Sequence, residues 1–148
     1  MNEDRAAFTA TMADILASWN LPRATGRVYG HLLLASGPVS HDEIRDALEL
    51  SKGAVSTAVR ELVSWGLART LPQPGSRRLL VEAVGGFEQL LAASHERTRA
   101  FVRVLRGGVD LTETDRSRAR LGEIADFFEA YVQAGDAMLK RAPDRPQT

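Results

Sequence analysis

Apolar residues recur every three to four positions along most of this chain, the spacing that places them on one face of an α-helix. Six stretches with this spacing predict six helices, which begin near Arg5, Pro22, Ser40, Ser51, Gly86 and Thr112. Between the fourth and fifth helices, residues 67–71 and 79–81 have the short apolar runs of β-strands. The pattern therefore predicts a mainly α-helical protein with a small β-wing.

The stretch from residue 40 to residue 78 reads SHDEIRDALELSKGAVSTAVRELVSWGLARTLPQPGSRR. Ser40 and Glu43 have the spacing of a capping box at the first helix. Ser51 can cap the second helix, and Gly66 can end it in a left-handed conformation. Proline, glycine and serine between the two strand candidates predict a tight turn. Two short helices followed by a hairpin predict a winged helix-turn-helix, a fold that suits the major groove of DNA and its flanking phosphates.

The second helix of this unit has two chemically different faces. Its predicted inward residues are Val55, Ala58, Val59, Leu62 and Val63. Its outward residues are small, hydroxylic or cationic, namely Ser51, Lys52, Gly53, Ser56, Thr57 and Arg60. Glycine costs helix stability, so Gly53 indicates close approach of another molecule. An ordinary solvated face with a tolerated glycine is the alternative when this helix is considered alone.

Positive charge is concentrated in the same module. Residues 51–78 contain five basic residues and one acidic residue, Glu61, which gives a net charge of +4. The whole chain contains 19 basic and 19 acidic residues and has a net charge of zero. A local cationic region on a neutral chain is typical of binding to nucleic acid. Ser76, Arg77 and Arg78 follow the predicted turn and complete the candidate DNA-binding set.

The segment LSKGAVSTAVRELVSWGLA, with the arginine pair that follows it, resembles the MarR-type winged helix regulators and, within them, the GbsR-like branch. The resemblance covers a leading helix, the winged module and two long trailing helices. It implies a homodimeric, ligand-responsive transcriptional repressor, occasionally an activator, that binds double-stranded DNA. It also implies that the outward residues of the Ser51 helix form the recognition surface and that Arg77 and Arg78 lie at the wing. Many members have an aspartate just before these arginines that can fix their direction, and Ser76 holds that place here.

The flanking helices complete a single winged-helix regulator domain. We expect residues of about 20–85 to form the DNA-binding region, and about 1–19 and 86–141 to form a helical dimerisation region, with a frayed tail at 142–148. The trailing helices carry long apolar stripes, which a monomer would expose as a sizeable patch. They predict an isologous homodimer on a roughly palindromic operator, with intramolecular packing as the alternative. The expected interface residues are Phe101, Leu105, Ile124, Phe128 and Tyr131. At the start of the last helix, Thr112 and Asp115 have the spacing of a cap.

Four aromatic residues lie on elements that should meet where the winged module joins the helical region. They are Phe8, Trp19, Tyr29 and Phe87. Because ligand pockets are mostly apolar with a few polar groups, these residues predict a site for an apolar or amphipathic effector. Ordinary core packing is the alternative for each of them.

No catalytic or metal-binding constellation is recognisable in the sequence. His31, His41 and His95 stand far apart, each without a metal-spaced partner, and we expect no cofactor. His31 is predicted to be a satisfied, partly buried residue and His41 a helix-start residue. There is no cysteine, so thiol oxidation cannot be a trigger. A winged module that binds protein instead of DNA, or a small helical ligand-binding enzyme, are the alternatives. No apolar run has the length of a membrane span and no signal peptide is recognisable, so a cytoplasmic location is expected.

Overall fold

The computed structural model describes residues 2–141, and this part of the chain is mainly α-helical with a small β-wing, as predicted. The helices are α1 (Glu3–Ser18), α2 (Arg23–Leu34), α3 (His41–Leu48), α4 (Lys52–Ser64), α5 (Glu88–Gly107) and α6 (Asp115–Arg141). The strands are β1 (Val39–Ser40), β2 (Ala68–Pro72) and β3 (Leu79–Ala83), and a short 3-10 helix (Gly108–Leu111) joins α5 to α6. The chain divides into two compact units between Phe87 and Glu88. The predicted tail at 142–148 lies outside the described residues.

The three strands form one antiparallel sheet in the order β1-β3-β2. β2 and β3 pair along their whole length, from Ala68 opposite Ala83 to Pro72 opposite Leu79. Pro72 lies at the end of this ladder, where its missing N–H costs least. β1 adds only two residue pairs, with Val81 and Leu80 of β3. This strand was not predicted, because two residues are too short to show an alternating pattern.

The core of the first unit is formed by the four helices α1 to α4 and the inner face of the sheet. On α4 the predicted inward residues Val55, Ala58, Val59 and Leu62 are all buried. Val63 is 41% exposed, so the prediction for this residue is wrong. Each residue of a helix advances by about 100°, and the stripe centred on the other four leaves Val63 beyond its edge.

The local signals that delimit α3 and α4 are confirmed. The Glu43 N–H donates to Ser40 Oγ at 3.1 Å, and the Ser40 N–H donates to Glu43 Oε2 at 3.0 Å, which is a complete capping box. Ser51 Oγ accepts a hydrogen bond from the Ala54 N–H at 3.1 Å. Gly66 has a φ of 74°, the left-handed conformation expected just after a helix.

The last helix has a different cap from the one predicted. The Thr112 hydroxyl donates to the Val109 carbonyl at 2.7 Å and so belongs to the end of the 3-10 helix. Two residues later, Thr114 Oγ1 accepts a hydrogen bond from the Ser117 N–H at 3.1 Å. Thr112 is therefore engaged at the end of the 3-10 helix, and Thr114 is the residue that caps α6, which begins at Asp115.

His31 is partly buried as predicted but is not satisfied. Its Nδ1 atom is buried and has no hydrogen-bond partner within residues 2–141. Burial lowers the pKa of His31 below its usual value; the positive charge of Arg5 also lowers it, and Glu43 opposes the shift. The spacing of apolar residues could predict that this side chain is buried but not what surrounds it. His41 begins α3, as predicted.

In the second unit, α5 and α6 form a hairpin in which Val102, Ala125 and Val132 are buried. The buried His95 places its Nδ1 atom 2.8 Å from Asp136 Oδ1. No local pattern links His95 to Asp136, because the two residues lie 41 positions apart on successive helices. The hairpin therefore has a polar contact within its packed interface.

In the first unit, α1 packs along α2 with unusually close backbones at two glycines. A Cβ atom on Gly26 would lie 2.6 Å from Ala13 Cα and 2.8 Å from the Met12 carbonyl oxygen. A Cβ atom on Gly30 would lie 3.1 Å from Thr9 Cα. α1 therefore belongs to the packed core of the first unit, and its part in dimerisation stays a prediction.

Replacing Gly26 with alanine should lower the free energy of unfolding by about 1–3 kcal/mol, the usual cost of overpacking. The added methyl group would meet the backbone of α1, which cannot rotate away as a side chain can. Urea denaturation followed by circular dichroism measures the change. Gly122→Ala on α6 is the control, because a Cβ there meets no atom within 4 Å, and it should stabilise by about 0.5–1 kcal/mol. Wild-type stability in Gly26→Ala would contradict the close packing of α1 on α2.

Candidate nucleic-acid interface

The outward face of α4 is accessible, as predicted. Ser51, Lys52, Gly53, Thr57 and Arg60 are exposed, and Ser56 is half-buried. Neither Lys52 nor Arg60 forms a salt bridge or side-chain hydrogen bond with any of the described residues. A Cβ atom on Gly53 would meet nothing within 4 Å, so the protein's own packing does not require glycine there. The side chains on this face are thus small near the start of the helix, and its two cations, Lys52 and Arg60, have no partner among the described residues.

The wing is a tight turn whose backbone is held by its own polar groups. Gly75 has a φ of 73°, which a side chain would strain. The Gln73 N–H donates to the Arg78 carbonyl at 3.2 Å, and the Arg78 N–H donates to Ser76 Oγ at 3.1 Å. Ser76 therefore orders the backbone of the turn, while Arg77 and Arg78 extend from it as exposed side chains.

The carboxylate that contacts the wing arginine comes from α3 and not from the wing. Asp42 Oδ2 lies 3.1 Å from Arg78 Nη1, and Asp42 Oδ1 lies 3.4 Å from Arg45 Nη1. Asp42 also lies in the first turn of α3, where its negative charge suits the helix dipole. Its second role depends on the pairing of β1 with β3, which no local pattern contains. An acidic residue 36 positions from the wing can be recognised only once the topology is known.

Between α3, the start of α4 and the wing lies a cleft of about 500 Å³. Its lining residues are Ser40, His41, Asp42, Arg45, Lys52, Arg77, Arg78 and Leu79. Four of them are basic and one is acidic, so the cleft is cationic. His41 Nε2 and Arg45 Nε are buried and have no hydrogen-bond partner within residues 2–141. Several guanidinium groups and one ammonium group at one opening suit an anion with several acceptor oxygens, such as a phosphate.

The structure brings only some of the predicted basic residues together. Lys52, Arg77 and Arg78 share the cleft, although they come from separate elements. Arg60 is not among the cleft residues and lies two turns further along α4. Arg69 on β2 forms an ion pair with Glu82 on the neighbouring strand, so its charge is locally compensated. The net charge of the segment therefore overstates the charge available to a ligand.

Three of the four aromatic residues predicted to bind an effector form one cluster in the first unit. The ring centroids of Trp19 and Phe87 are 5.6 Å apart, and those of Tyr29 and Phe87 are 5.9 Å apart, both edge to face. Phe8 lies on α1, 37% exposed, and makes no aromatic ring pair within the described chain. Tyr29 is fully covered, as a core residue would be. Ligand binding by this cluster stays a prediction.

From residue 2 to residue 141, no helix has both the length and the apolar character needed to cross a membrane. Within the same range, no three histidine, cysteine, aspartate or glutamate side chains come together in a way that could hold a metal ion.

The helix-turn-helix of α3 and α4, covered by α2 and followed by an antiparallel hairpin, defines a winged helix protein. Residues 31–79 match the sequence model of the MarR family. This range begins within α2 and ends at the first residue of β3, so it contains α4 and the wing. The winged helix module of this chain is therefore similar in sequence to that of the MarR family. The GbsR-like branch stays a prediction.

Comparison with solved structures gives one chain of similar fold. The chain is similar to a protein described as a transcriptional regulator, with 24% identity, a TM-score of 0.64, and coverage of 93% of this chain and 97% of that chain. It is also similar to transcriptional regulator Tm0710 from Thermotoga maritima, with 16% identity, a TM-score of 0.46 and coverage of 93% of each chain. A third is a mutant MarR from E. coli complexed with operator DNA, with 20% identity, a TM-score of 0.43, and coverage of 84% of this chain and 85% of that chain. No curated protein matches significantly.

Proposed function

We propose that this protein is a sequence-specific transcriptional regulator of double-stranded DNA, with α4 in the major groove and the wing on or near the adjacent minor groove. The observation that carries the proposal is the cationic cleft, where α3, α4 and the wing present four basic side chains at one surface. The MarR-family match over residues 31–79 supports the same function. Such a regulator acts on chromosomal DNA, so we propose a cytoplasmic location. The resemblance to MarR-type regulators favours a repressor role.

The outer face of α4 suits the role of a recognition helix. A major groove about 12 Å wide admits one helix, and small residues at the leading end permit the closest approach. Hydroxyl groups of Ser56 and Thr57 can donate to or accept from base edges or phosphates. Arg60 can contact guanine or phosphate from the same face. No carboxylate lies among the six predicted contact residues of α4, so nothing on this face repels the phosphate backbone.

The cleft supplies contacts that hold the helix in the groove. Backbone phosphates are bound mainly by arginine, lysine and unpaired N–H groups, and such contacts fix orientation without reading sequence. Asp42 holds Arg78 beside Arg45, so two guanidinium groups face the same opening. We propose that one DNA phosphate binds there, with Lys52 of α4 and the exposed Arg77 contributing from either side.

Replacing Arg77 or Arg78 with alanine should weaken binding to every duplex and flatten the dependence of log K on log salt by about one unit per lost phosphate contact. Fluorescence anisotropy titrations at several salt concentrations measure both quantities. Arg69→Ala is the control, because it removes the same charge from β2 but at a side chain already paired with Glu82. If neither wing variant loses affinity at moderate salt while the protein stays folded, the wing does not contact DNA.

Replacing Gly53 with alanine should change stability and DNA affinity in opposite directions. The free protein should gain up to about 1 kcal/mol, since glycine is a poor helix former and the space beside it is open. DNA affinity should fall by about tenfold or more, because a methyl group in a close contact is overpacked by about 1–3 kcal/mol. Gly122→Ala on α6 should stabilise without this loss. Unchanged affinity in Gly53→Ala would show that α4 does not approach DNA closely at its start.

We propose that the protein is a homodimer. In the second unit, Val104, Phe127 and Tyr131 are 71%, 68% and 60% exposed, although they are large apolar or aromatic residues. The apolar face of the hairpin consists of Phe101, Val104, Ile124, Phe127, Phe128 and Tyr131. Its aromatic rings already pair with one another, since the centroids of Phe101 and Phe127 each lie 5.3 Å from that of Phe128. Globular monomers rarely expose a contiguous patch of this kind, so a second copy is the natural cover.

Light scattering should give twice the 16.2 kDa mass of one chain at micromolar concentration. Phe127→Glu should shift the mass towards that of a monomer, because dimerisation would bury its charge in an apolar contact. Val63→Glu is the control, since it adds the same charge at an exposed apolar residue of α4. A dimer requires an operator with two half-sites about 34 Å apart or a multiple of that distance. A folded wild-type monomer at this concentration would contradict the proposal.

We propose that a small apolar or amphipathic molecule binds at the cluster of Trp19, Tyr29 and Phe87, with Phe8 of α1 as a further predicted contact, and releases the operator. The ligand must bind the DNA-free state more tightly, because equal affinity for both states shifts nothing. The expected coupling is about 1–3 kcal/mol, or ~5–150-fold in operator affinity. A thermal-shift screen of apolar compounds, followed by operator titration with each hit, measures it. If every stabilising ligand leaves operator affinity unchanged, this form of control is absent.

A further inference from the structure

The α5–α6 hairpin has a second surface, on the side away from its apolar face. Arg99, Arg103 and Arg106 recur at intervals of four and three residues, so they share one face of α5. On α6, which runs in the opposite direction, Asp136, Gln133 and Glu129 are spaced by three and four residues and also share one face. These two rows border a groove of about 430 Å³, which we call the arginine groove.

The two outer arginines of the arginine groove are already neutralised by carboxylates. Arg99 pairs with Asp136 across the groove and with Glu96 on its own helix. Arg106 pairs with Glu129 across the groove and lies 3.1 Å from Asp126. Hydrogen bonds to Glu129 and then Asp126 raise the pKa of Arg106 above its ordinary value, as expected for an engaged guanidinium. Each end of the groove is thus a closed ion-pair cluster with two acids for one base.

The middle position has no such compensation. Opposite Arg103, where the outer positions have a carboxylate, α6 has the neutral amide of Gln133. Arg103 forms no ion pair or side-chain hydrogen bond with any residue from 2 to 141, and neither does the Gln133 side chain. The structure therefore holds one unpaired positive charge and an amide donor between two closed ion-pair clusters.

The floor of the arginine groove is apolar. Val102 and Val132, one from each helix, are buried beneath the two rows of polar side chains and line the groove. A volume of this size lies within the usual range for small-molecule pockets, which combine an apolar surface with a few polar groups. The chemistry that fits is a hydrocarbon body against the valines and one anionic group at the unpaired guanidinium.

The charge of the occupant follows from the acids at the two ends. A single negative charge would pair with Arg103 in the way that Asp136 pairs with Arg99 and Glu129 pairs with Arg106. A dianion would place a second negative charge near two carboxylate pairs, where like charges repel. A carboxylate also matches the planar fork of arginine with two parallel hydrogen bonds.

We propose that the arginine groove binds a small amphipathic monocarboxylate. Its carboxylate accepts hydrogen bonds from the Arg103 guanidinium and from the Gln133 amide, and its hydrocarbon part lies on Val102 and Val132. This site lies on different elements from the aromatic cluster of the first unit. It rests on the second unit alone and requires no DNA binding, so it can be tested without DNA.

Octanoate is the probe, and isothermal titration of the full-length protein in the absence of DNA is the measurement. With ten non-hydrogen atoms, it should bind one site per chain with a dissociation constant of roughly 1 mM or lower. Arg103→Gln should weaken binding about tenfold or more, because it removes a charge-assisted hydrogen bond. Gln133→Glu should do the same, because the new carboxylate pairs with Arg103 and completes the middle position from within the chain. Circular dichroism spectra of all variants should match that of the wild type.

Two controls separate the proposed contact from general partitioning. Arg97→Gln removes the same charge from the same helix at an exposed residue outside the groove, and should leave octanoate binding unchanged. The neutral analogue 1-octanol should bind the wild type at least tenfold more weakly than octanoate. The proposal is overturned if octanoate does not bind, if octanol binds equally well, or if Arg103→Gln and Gln133→Glu retain wild-type affinity. In the last case the probe occupies another surface, such as the aromatic cluster.

Discussion

Two backbone pairs, Val39 with Val81 and Ser40 with Leu80, connect the start of α3 to the returning strand of the wing. Ser40 belongs to this pairing and is at the same time the N-cap of α3, so the strand ends where the helix begins. Asp42 follows Ser40 by two residues, and Arg78 precedes Leu80 by two. The antiparallel register therefore brings these two side chains to the same end of the sheet. The cleft and the direction of the wing arginine both depend on these two short pairings.

The ion pairs at this surface orient side chains more than they stabilise the fold. Asp42 and Arg78 are both largely exposed, and exposed pairs contribute at most about 1 kcal/mol each. Their effect is to limit the directions that a long, flexible guanidinium can take before a ligand arrives, which reduces the entropy lost on binding. A chain with no net charge can still present a cationic surface, because some of its basic side chains lie beside a carboxylate and others do not. Arg69 has such a partner, whereas the α4 cations Lys52 and Arg60 have none among the described residues.

The parts of the fold that were predictable have their cause within a few residues of sequence. The Ser40–Glu43 capping box, the Ser51 cap and the left-handed Gly66 are local hydrogen-bonding or conformational effects, and each was predicted correctly. The apolar spacing on α4 gave its buried face, with an error only at Val63 on the edge of the stripe. The predicted Thr112 cap was wrong because Thr112 and Thr114 are both candidate N-caps of α6. A 3-10 turn that engages Thr112 leaves Thr114 as the cap.

The parts that were not predictable depend on residues far apart in the sequence. Asp42 and Arg78 meet because of sheet register, and Arg103 and Gln133 line one groove because two long helices pair. β1 is too short to leave any periodicity. For the candidate interface, sequence therefore identified the residues of α4 and the wing, while the supporting carboxylate and the shape of the cleft required the structure.

The ring of His95 fills the space above Gly135, where a Cβ atom would lie 2.7 Å from the imidazole Cε1. One turn away on the same face of α6 are residues with side chains, Tyr131 and Leu139. Sliding α6 along α5 by one turn, a rise of about 5.4 Å, would replace the glycine by one of them and bring a Cβ into the ring. The Asp136 contact to the same ring would be lost in that movement. The close fit of the ring over Gly135 therefore opposes axial sliding of the two helices and favours one register of the hairpin.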